Sequence, residues 1–408
     1  MANMNPIRKR IWRVYLLAAL LLICLVLLCA CNRDTSYSVE GDTVATPTHF
    51  MAKLMLSLSE TSGLKNASFG WTVVVFTVIL RLILSPLDIW QKIIARKNAK
   101  AMERMKPQLE ALQAKYGDDK QRIQQEQMAL YKKEHYSMWG MCLPTIVTFV
   151  VFFVVFAGFR QMVGYQYALD YKNSVNTFNA VVATEIDNKG YGDRNGDGIK
   201  DLYDIDPLSP TAVQDRTDIV DAAQTAVRDA YYSEEQTSIR SFIWIKNIFV
   251  SDNWAQSVPN YTSVTGQTGF ATSRLSGVEK AEYEMVMGKV LGTGGYGKNG
   301  KWNGLLILPV LSILLSFLST FLLNKAQGQP PQPQQKTADG QNPQMNTSKM
   351  MQWIMPLMMG VFSLLYSGAF ALYMFTSSAV AIMFQLTFNL VAKIVDNTRG
   401  ARPNVAKK

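Results

Sequence analysis

Six long apolar runs constrain this chain more than any other feature of its sequence. They occupy 11–30, 69–87, 139–162, 303–323, 351–367 and 370–391. A helix of about 20 apolar residues spans the roughly 30 Å hydrocarbon core of a bilayer, and each run is near that length. The sequence therefore predicts an all-α polytopic membrane protein.

The charges between the runs predict the orientation. Four segments are rich in bases, with 4 bases and no acids in 1–13, 11 against 7 in 88–138, 3 against 1 in 325–349 and 5 against 1 in 391–408. The other side carries 3 bases against 4 acids in 32–68 and 13 against 18 in 163–301. If all six runs cross, every basic segment lies on one side, which the positive-inside rule assigns to the cytoplasm. The net charge of +10 thus indicates a membrane protein and not a partner of nucleic acid.

The first run has the features of a secretion signal. It follows a basic cluster at 8–10 and ends in LCAC (28–31), which resembles the lipobox of bacterial lipoproteins. A charged start, an apolar middle and small residues at the cut define such signals. We predict that 1–31 is a signal segment and that Cys31 becomes the lipidated N-terminus, which leaves a five-span core. The alternative is an uncleaved signal anchor.

The shorter polar segments predict four accessory parts. Segment 44–66 has apolar residues at helical spacing and predicts an amphipathic helix on the outer membrane surface. Segment 88–138 predicts a cytoplasmic helical hairpin that turns at 117–119, either as a solvated cap or as a docking surface for a ribosome, a targeting factor or a nascent chain. Segment 325–349 is a Pro/Gln-rich linker, and 393–408 is a basic cytoplasmic tail.

The enlarged outer loop, 163–301, contains a calcium-like sequence, DRNGDGIKDLYD (193–204). Its oxygen ligands have the spacing of a calcium-binding loop, with Gly198 at the sharp turn. The predicted ligands are Asp193, Asn195, Asp197, the carbonyl of Ile199, Asp201 and Asp204. We predict that Ca²⁺ stabilises the outer loop, and the alternative is an acidic surface turn.

An arginine lies inside the second apolar run. Arg81 is six residues before Leu87, or about 9 Å along a helix. A cation at that depth is costly, and no acidic residue occurs in the other core spans to neutralise it. A water-filled groove is the simplest prediction, and snorkelling of the side chain to the interface is the alternative.

Other core spans add polar residues that can share this groove. The candidate groove residues are Arg81, Thr148, Ser312, Ser316, Thr320, Tyr373, Ser377 and Gln385. Hydroxyl residues of this kind also serve as plain helix-packing contacts in membranes. The Met-rich segment 350–359 suits a surface that accepts many apolar sequences, although core filling also explains it.

No catalytic constellation is visible in the sequence. The only histidines, His49 and His135, are in segments assigned to opposite sides of the membrane, and there is no phosphate loop or GxSxG. We therefore do not expect an enzyme. Two other classes stay open: a small-solute transporter, although no internal repeat is found, and a lipoprotein adhesion or sensor module built on the outer loop.

Six sequence blocks, in this order and spacing, resemble the YidC insertases, which are related to the oxidase-assembly and albino insertases of organelles. The blocks are 69–91, 102–119, 142–156, 242–254, 306–321 and 351–385. The lipobox-like start is similar to that of the Gram-positive branch. The resemblance implies a bacterial inner-membrane protein whose groove opens to the cytoplasm and to lipid and is closed on the outside.

The resemblance also implies roles and partners. Arg81 matches the groove arginine that attracts acidic or polar outer segments of substrates, and 88–138 matches the hairpin that captures them. Expected partners are nascent membrane proteins, the Sec translocon, a ribosome or targeting factor and membrane lipids, with no direct contact to nucleic acid. Such proteins act alone or with Sec, without ATP hydrolysis of their own, and insertion needs no cofactor.

Overall fold

The computed structural model describes most of the chain between residues 36 and 400. The described residues are 36–38, 43–65, 67–116, 119–136, 138–254, 256–266, 274–292, 302–326, 357–358 and 360–400. The predicted signal segment with Cys31 lies outside them, as do most of the predicted linker 325–349, all of the Met-rich segment except 357–358, and the end of the predicted basic tail.

Four long helices dominate the structure. The first core helix is Phe69–Lys115 and the second is Met138–Asn188. The third core helix is Ile307–Ala326 and the last core helix is Gly368–Gly400, with residues 360–365 also helical before it. Within the described residues, 3 of these helices are long and apolar enough to cross a membrane, while Ile307–Leu322 is a shorter apolar helix. The predicted fold class, an all-α polytopic membrane protein, is confirmed.

The chain divides into two compact units. Of the described residues, the first unit contains those within 1–73, 150–308 and 364–371, and the second contains those within 74–149, 309–363 and 372–408. The boundaries fall inside the core helices, so these helices contribute residues to both units.

A helical subdomain forms much of the first unit. The second core helix continues to Asn188, well past the end of its predicted apolar run at residue 162. Beside it stand helices Ala212–Tyr231, Glu234–Arg240, Tyr261–Val264 and Lys280–Leu291. Strand β1 (Ser36–Ser38) pairs in parallel with β2 (Arg274–Ser276).

Two apolar helix faces hold this subdomain together. The buried face of Ala212–Tyr231 repeats about every fourth residue, as one side of a helix requires. Its members are Ile219, Ala223, Val227 and Tyr231. That helix packs on Lys280–Leu291, whose buried residues are Tyr283, Val286, Met287 and Val290.

A buried ion pair fastens the subdomain to the second core helix. Arg240 Nη1 lies 3.2 Å from Asp170 Oδ2, and both side chains are almost fully buried. The guanidinium also stacks 3.7 Å above the ring of Tyr231, while Gln166 donates to Asp170 at 2.8 Å. Buried charges need such complete partnering, because an unpaired one costs several kcal/mol.

The helix found within the predicted segment 44–66 is shorter than that segment. It is Phe50–Ser59, capped by His49, whose ring nitrogen accepts from the Met51 N–H at 3.2 Å. Its buried residues are Ala52 and Met55, whereas Phe50 is 70% exposed, so Phe50 does not belong to the packed face. A Cβ built on Gly158 would lie 2.5 Å from Met51 Cβ, so the packing needs a glycine in the second core helix.

The predicted hairpin belongs to the second unit. Its first arm and the first span are one helix, which passes through Pro86 and Pro107 without interruption. Pro86 has no backbone N–H to donate to the Leu82 carbonyl. The Ser85 hydroxyl donates to that oxygen instead, at 2.7 Å.

The second arm, Lys120–Lys133, begins at Asp119, which caps it by accepting from the Arg122 N–H at 3.1 Å. Ala101, Met105 and Leu130 form the buried core between the two arms.

Candidate functional site

Arg81 is held by a hydroxyl of the last core helix. Its Nε donates to Ser377 Oγ at 2.7 Å, and its Nη2 donates to the same oxygen. The Arg81 side chain is 18% exposed, and Ser377 is buried. A cation in a predicted membrane span is thus tied to a polar group and not left against apolar side chains.

A carboxylate from the same helix supplies a counter-charge. Arg81 Nη1 lies 3.9 Å from Asp88 Oδ2, and the Asp88 side chain is also 18% exposed. At an effective dielectric constant of 20, two charges at about 4 Å attract by roughly 4 kcal/mol, before desolvation is subtracted. Asp88 was not among the predicted site residues, because it is the first residue after the run 69–87 and lies outside the predicted spans. The seven-residue spacing, almost two helical turns, was the available signal.

Lys92 extends this charged face. It follows Asp88 by four residues, so Arg81, Asp88 and Lys92 lie on one side of the first core helix. The Lys92 side chain is buried and interacts electrostatically with Asp88. The charges on this face are therefore positive, negative and positive in order along the helix.

Tyr373 joins the arginine group from the last core helix. It is buried, lies one turn before Ser377 and forms a side-chain hydrogen bond with it. Gln385, further along the same helix, is buried and donates to Asn389 at 2.9 Å. The predicted residues Arg81, Tyr373 and Ser377 thus form one hydrogen-bonded group, and Gln385 is paired with Asn389.

The hydroxyls of the third core helix form serine pairs. Ser312 lies 3.0 Å from Ser363, and Ser316 lies 3.0 Å from Ser378. Thr320 donates to the Ser316 carbonyl at 2.9 Å. Such contacts are typical of helix packing in membranes. Ser363 and Ser378 were not predicted, although serines at helical spacing in two runs were the signal for them.

Thr148, the remaining candidate of the groove, is exposed on the second core helix.

The calcium-like loop folds around its own backbone. Asp193 accepts from the N–H groups of Gly196 and Gly198 at 2.8 and 2.9 Å, and Asp197 accepts from Ile199 at 2.7 Å. Gly198 has φ +81°, the left-handed conformation expected at its turn. The loop thus adopts a tight turn stabilised by its acidic side chains.

Asp204 lies buried at the centre of this loop. Its carboxylate accepts from the N–H groups of Asp201, Arg194 and Asn195, which hold the pKa of Asp204 below its usual value. Within the described residues, which include all of 193–204, no three His, Cys, Asp or Glu side chains are grouped to hold a metal. Calcium binding there stays a prediction.

Comparison with known proteins agrees with the family resemblance found in the sequence. The sequence model of the family described as 60Kd inner membrane protein matches residues 61–394. A membrane protein insertase YidC of Stenotrophomonas maltophilia (strain K279a) is 37% identical over 89 residues, which are 22% of this chain and 15% of that protein. The corresponding protein of Legionella pneumophila (strain Corby) is 33% identical over 107 residues, 26% of this chain and 18% of that protein.

A third such protein, from Xanthomonas campestris pv. campestris (strain 8004), is 38% identical over 89 residues, which are 22% of this chain and 15% of that protein. The chain therefore spans less than a fifth of the length of the curated relatives it matches.

Proposed function

Because the chain belongs to the 60Kd inner membrane protein family, we propose that it is an insertase, which moves hydrophobic segments of nascent proteins from the cytoplasm into the bilayer. It does so alone or together with the Sec translocon. The relatives named above support this proposal by their description as membrane protein insertases.

The environment of Arg81 is the observation that carries the proposal. Ser377 orients the guanidinium, and Asp88 partly neutralises it. A polar or acidic tail that enters this part of the membrane gains an ionic partner, so the cost of removing the tail from water falls. The apolar segment that follows the tail then passes between the core helices into lipid.

The hairpin is the proposed entry point for the substrate. Its basic residues face the cytoplasm, where they attract a nascent chain, a ribosome or a targeting factor. Because its first arm continues the helix that carries Arg81, a captured segment is delivered along that helix toward the arginine. No step in this sequence requires nucleotide hydrolysis or a cofactor.

Complementation of an insertase-depleted strain tests the proposal. We expect the wild-type chain to restore growth and insertion, and Arg81→Ala to slow the insertion of acidic-tailed substrates by about tenfold, equivalent to ~1.4 kcal/mol. Arg81→Lys keeps the charge but loses the paired donors to Ser377. Its insertion rate should therefore lie between those of the wild-type chain and Arg81→Ala. Lys280→Ala removes an exposed positive charge from the first unit and is the control.

Two results would contradict the proposal. Failure of the wild-type chain to restore insertion, at normal abundance in the membrane, would reject the insertase function. A normal insertion rate in Arg81→Ala would reject the electrostatic role of the arginine.

Calcium in the loop 193–204 is a separate proposal. The ion would stabilise the first unit and take no part in insertion. Titration of the purified protein with CaCl₂ should raise the unfolding temperature. MgCl₂ should have a smaller effect, because Mg²⁺ requires near-ideal octahedral geometry and gives up its water reluctantly. The rise should disappear in Asp193→Asn, and its absence in the wild-type chain would reject the site.

A further inference from the structure

The charged face of the first core helix has a consequence for substrate choice. We propose that Asp88 is the internal counter-ion of Arg81, and that an acidic group of the substrate must displace it to reach the arginine. Asp88 would thereby set the number of acidic residues that a substrate needs. This inference rests on the proposed function, because it names the competitor at the same site.

The two partners of Arg81 bind it in different ways. Ser377 accepts from Nε at 2.7 Å, which is a directed hydrogen bond. Asp88 lies 3.9 Å from Nη1, beyond hydrogen-bond distance but close enough for strong attraction. Ser377 therefore fixes the position of the guanidinium, while Asp88 neutralises it without locking it. A loosely held counter-ion is one that another carboxylate can replace.

Lys92 makes the displacement feasible. A carboxylate left alone in a poorly solvated site would be strongly destabilised. Asp88 has Lys92 four residues further along the helix, on the same face and buried. When Arg81 turns to a substrate, Asp88 keeps this second positive partner. The order of charges, positive, negative, positive, thus permits an exchange of partners.

The exchange implies a threshold in substrate charge. A tail with one acidic residue merely substitutes one carboxylate for another and gains little. A tail with two acidic residues can pair with Arg81 and also repel Asp88 toward Lys92. The wild-type chain should therefore favour tails with two acidic residues, and removal of the Asp88 charge should make one sufficient.

A series of single-span substrates tests this threshold. Their outer tails carry no, one or two acidic residues, and insertion is measured in the insertase-depleted strain by protection of the tail from added protease. The measured ratio is the insertion rate of the substrate with one acidic residue divided by that of the substrate with none. We expect Asp88→Asn to raise this ratio by about fivefold or more, which is the range typical of energetic coupling between two sites. Asp88→Glu retains the charge and should keep the wild-type ratio.

The control is Glu284→Gln, which removes an exposed acidic charge from the first unit and should leave the ratio unchanged. An unchanged ratio in Asp88→Asn overturns the inference. If that variant does not accumulate, Asp88→Ser, which also removes the charge, takes its place. It should raise the same ratio, and an unchanged ratio in Asp88→Ser likewise overturns the inference.

The outcomes separate the two proposals. If the wild-type chain inserts no substrate, the proposed function fails. If it inserts them with a preference that depends on Arg81 but not on Asp88, only the inference about Asp88 fails.

Discussion

A single hydroxyl oxygen orients the only basic residue of the apolar run 69–87. Ser377 receives two N–H groups from Arg81 and a contact from Tyr373. Spacing along the last apolar run was enough to predict Tyr373 and Ser377 on one face. Asp88 was not predicted, because it lies just beyond the apolar run, although the helix continues through that point.

Removal of this hydroxyl should weaken the site without removing its charge. Hydrogen bonds to charged groups contribute about 1.5–3 kcal/mol, so Ser377→Ala should slow the insertion of acidic-tailed substrates by roughly tenfold or more. Ser377→Thr keeps the hydroxyl and should retain most of the rate. Thr387→Ala, on the exposed side of the same helix, is the control, and normal insertion by Ser377→Ala would contradict the assigned role.

At the scale of elements, helix propensity predicted the two arms of the hairpin, whereas hydropathy did not predict where the first core helix ends. Both arms are helical, as expected from their Lys, Glu, Gln, Ala and Met content, whereas most of the predicted turn at 117–119 lies outside the described residues. The continuity of the first arm with the span did not follow, since the apolar pattern ends at residue 87 while the helix does not. Likewise, the C-terminal half of the second core helix was not predicted, because it lies in the polar segment after residue 162, although Tyr171, Phe178, Val182 and Ile186 repeat at helical spacing.

Met105 should be the main anchor between the hairpin arms. It is fully buried against Ala101 and Leu130, and truncation of a buried methionine costs about 2–5 kcal/mol. Met105→Ala should therefore speed hydrogen exchange and proteolysis within 120–133. Met128→Ala, which alters a side chain that is 45% exposed, should change neither rate. Equal protection in the two variants would show that the arms do not depend on this core.

At the scale of the whole molecule, charge and hydropathy predicted the membrane class, and the family match agrees with it. The arrangement of the first unit was not predictable, because its stability depends on long-range partners such as Asp170 and Arg240, which are far apart in sequence. Another such cluster surrounds Asp215, which accepts from Lys189, Thr211 and Tyr191 at 2.6, 2.6 and 2.7 Å.

This cluster predicts that acid destabilises the first unit. The Lys189 ammonium, followed by the two hydroxyls, lowers the pKa of Asp215. A lowered pKa in the folded state contributes stability above the unfolded value of about 4, and that contribution is lost as the pH falls further. The unfolding temperature of the first unit should therefore drop below about pH 4.

Asp215→Asn should lower the unfolding temperature at pH 7 and flatten its dependence on pH. Asp229→Asn, which affects a carboxylate paired with its neighbour Arg228, serves as the control. A pH dependence that is identical in Asp215→Asn and the wild-type chain would exclude Asp215 as its source.

The uninterrupted first core helix also has a mechanical consequence. Its 47 residues form a rod about 70 Å long, more than twice the thickness of the hydrocarbon layer. A torque applied at the Lys115 end is therefore carried along the continuous helix to the guanidinium of Arg81 and to its hydrogen bonds with Ser377.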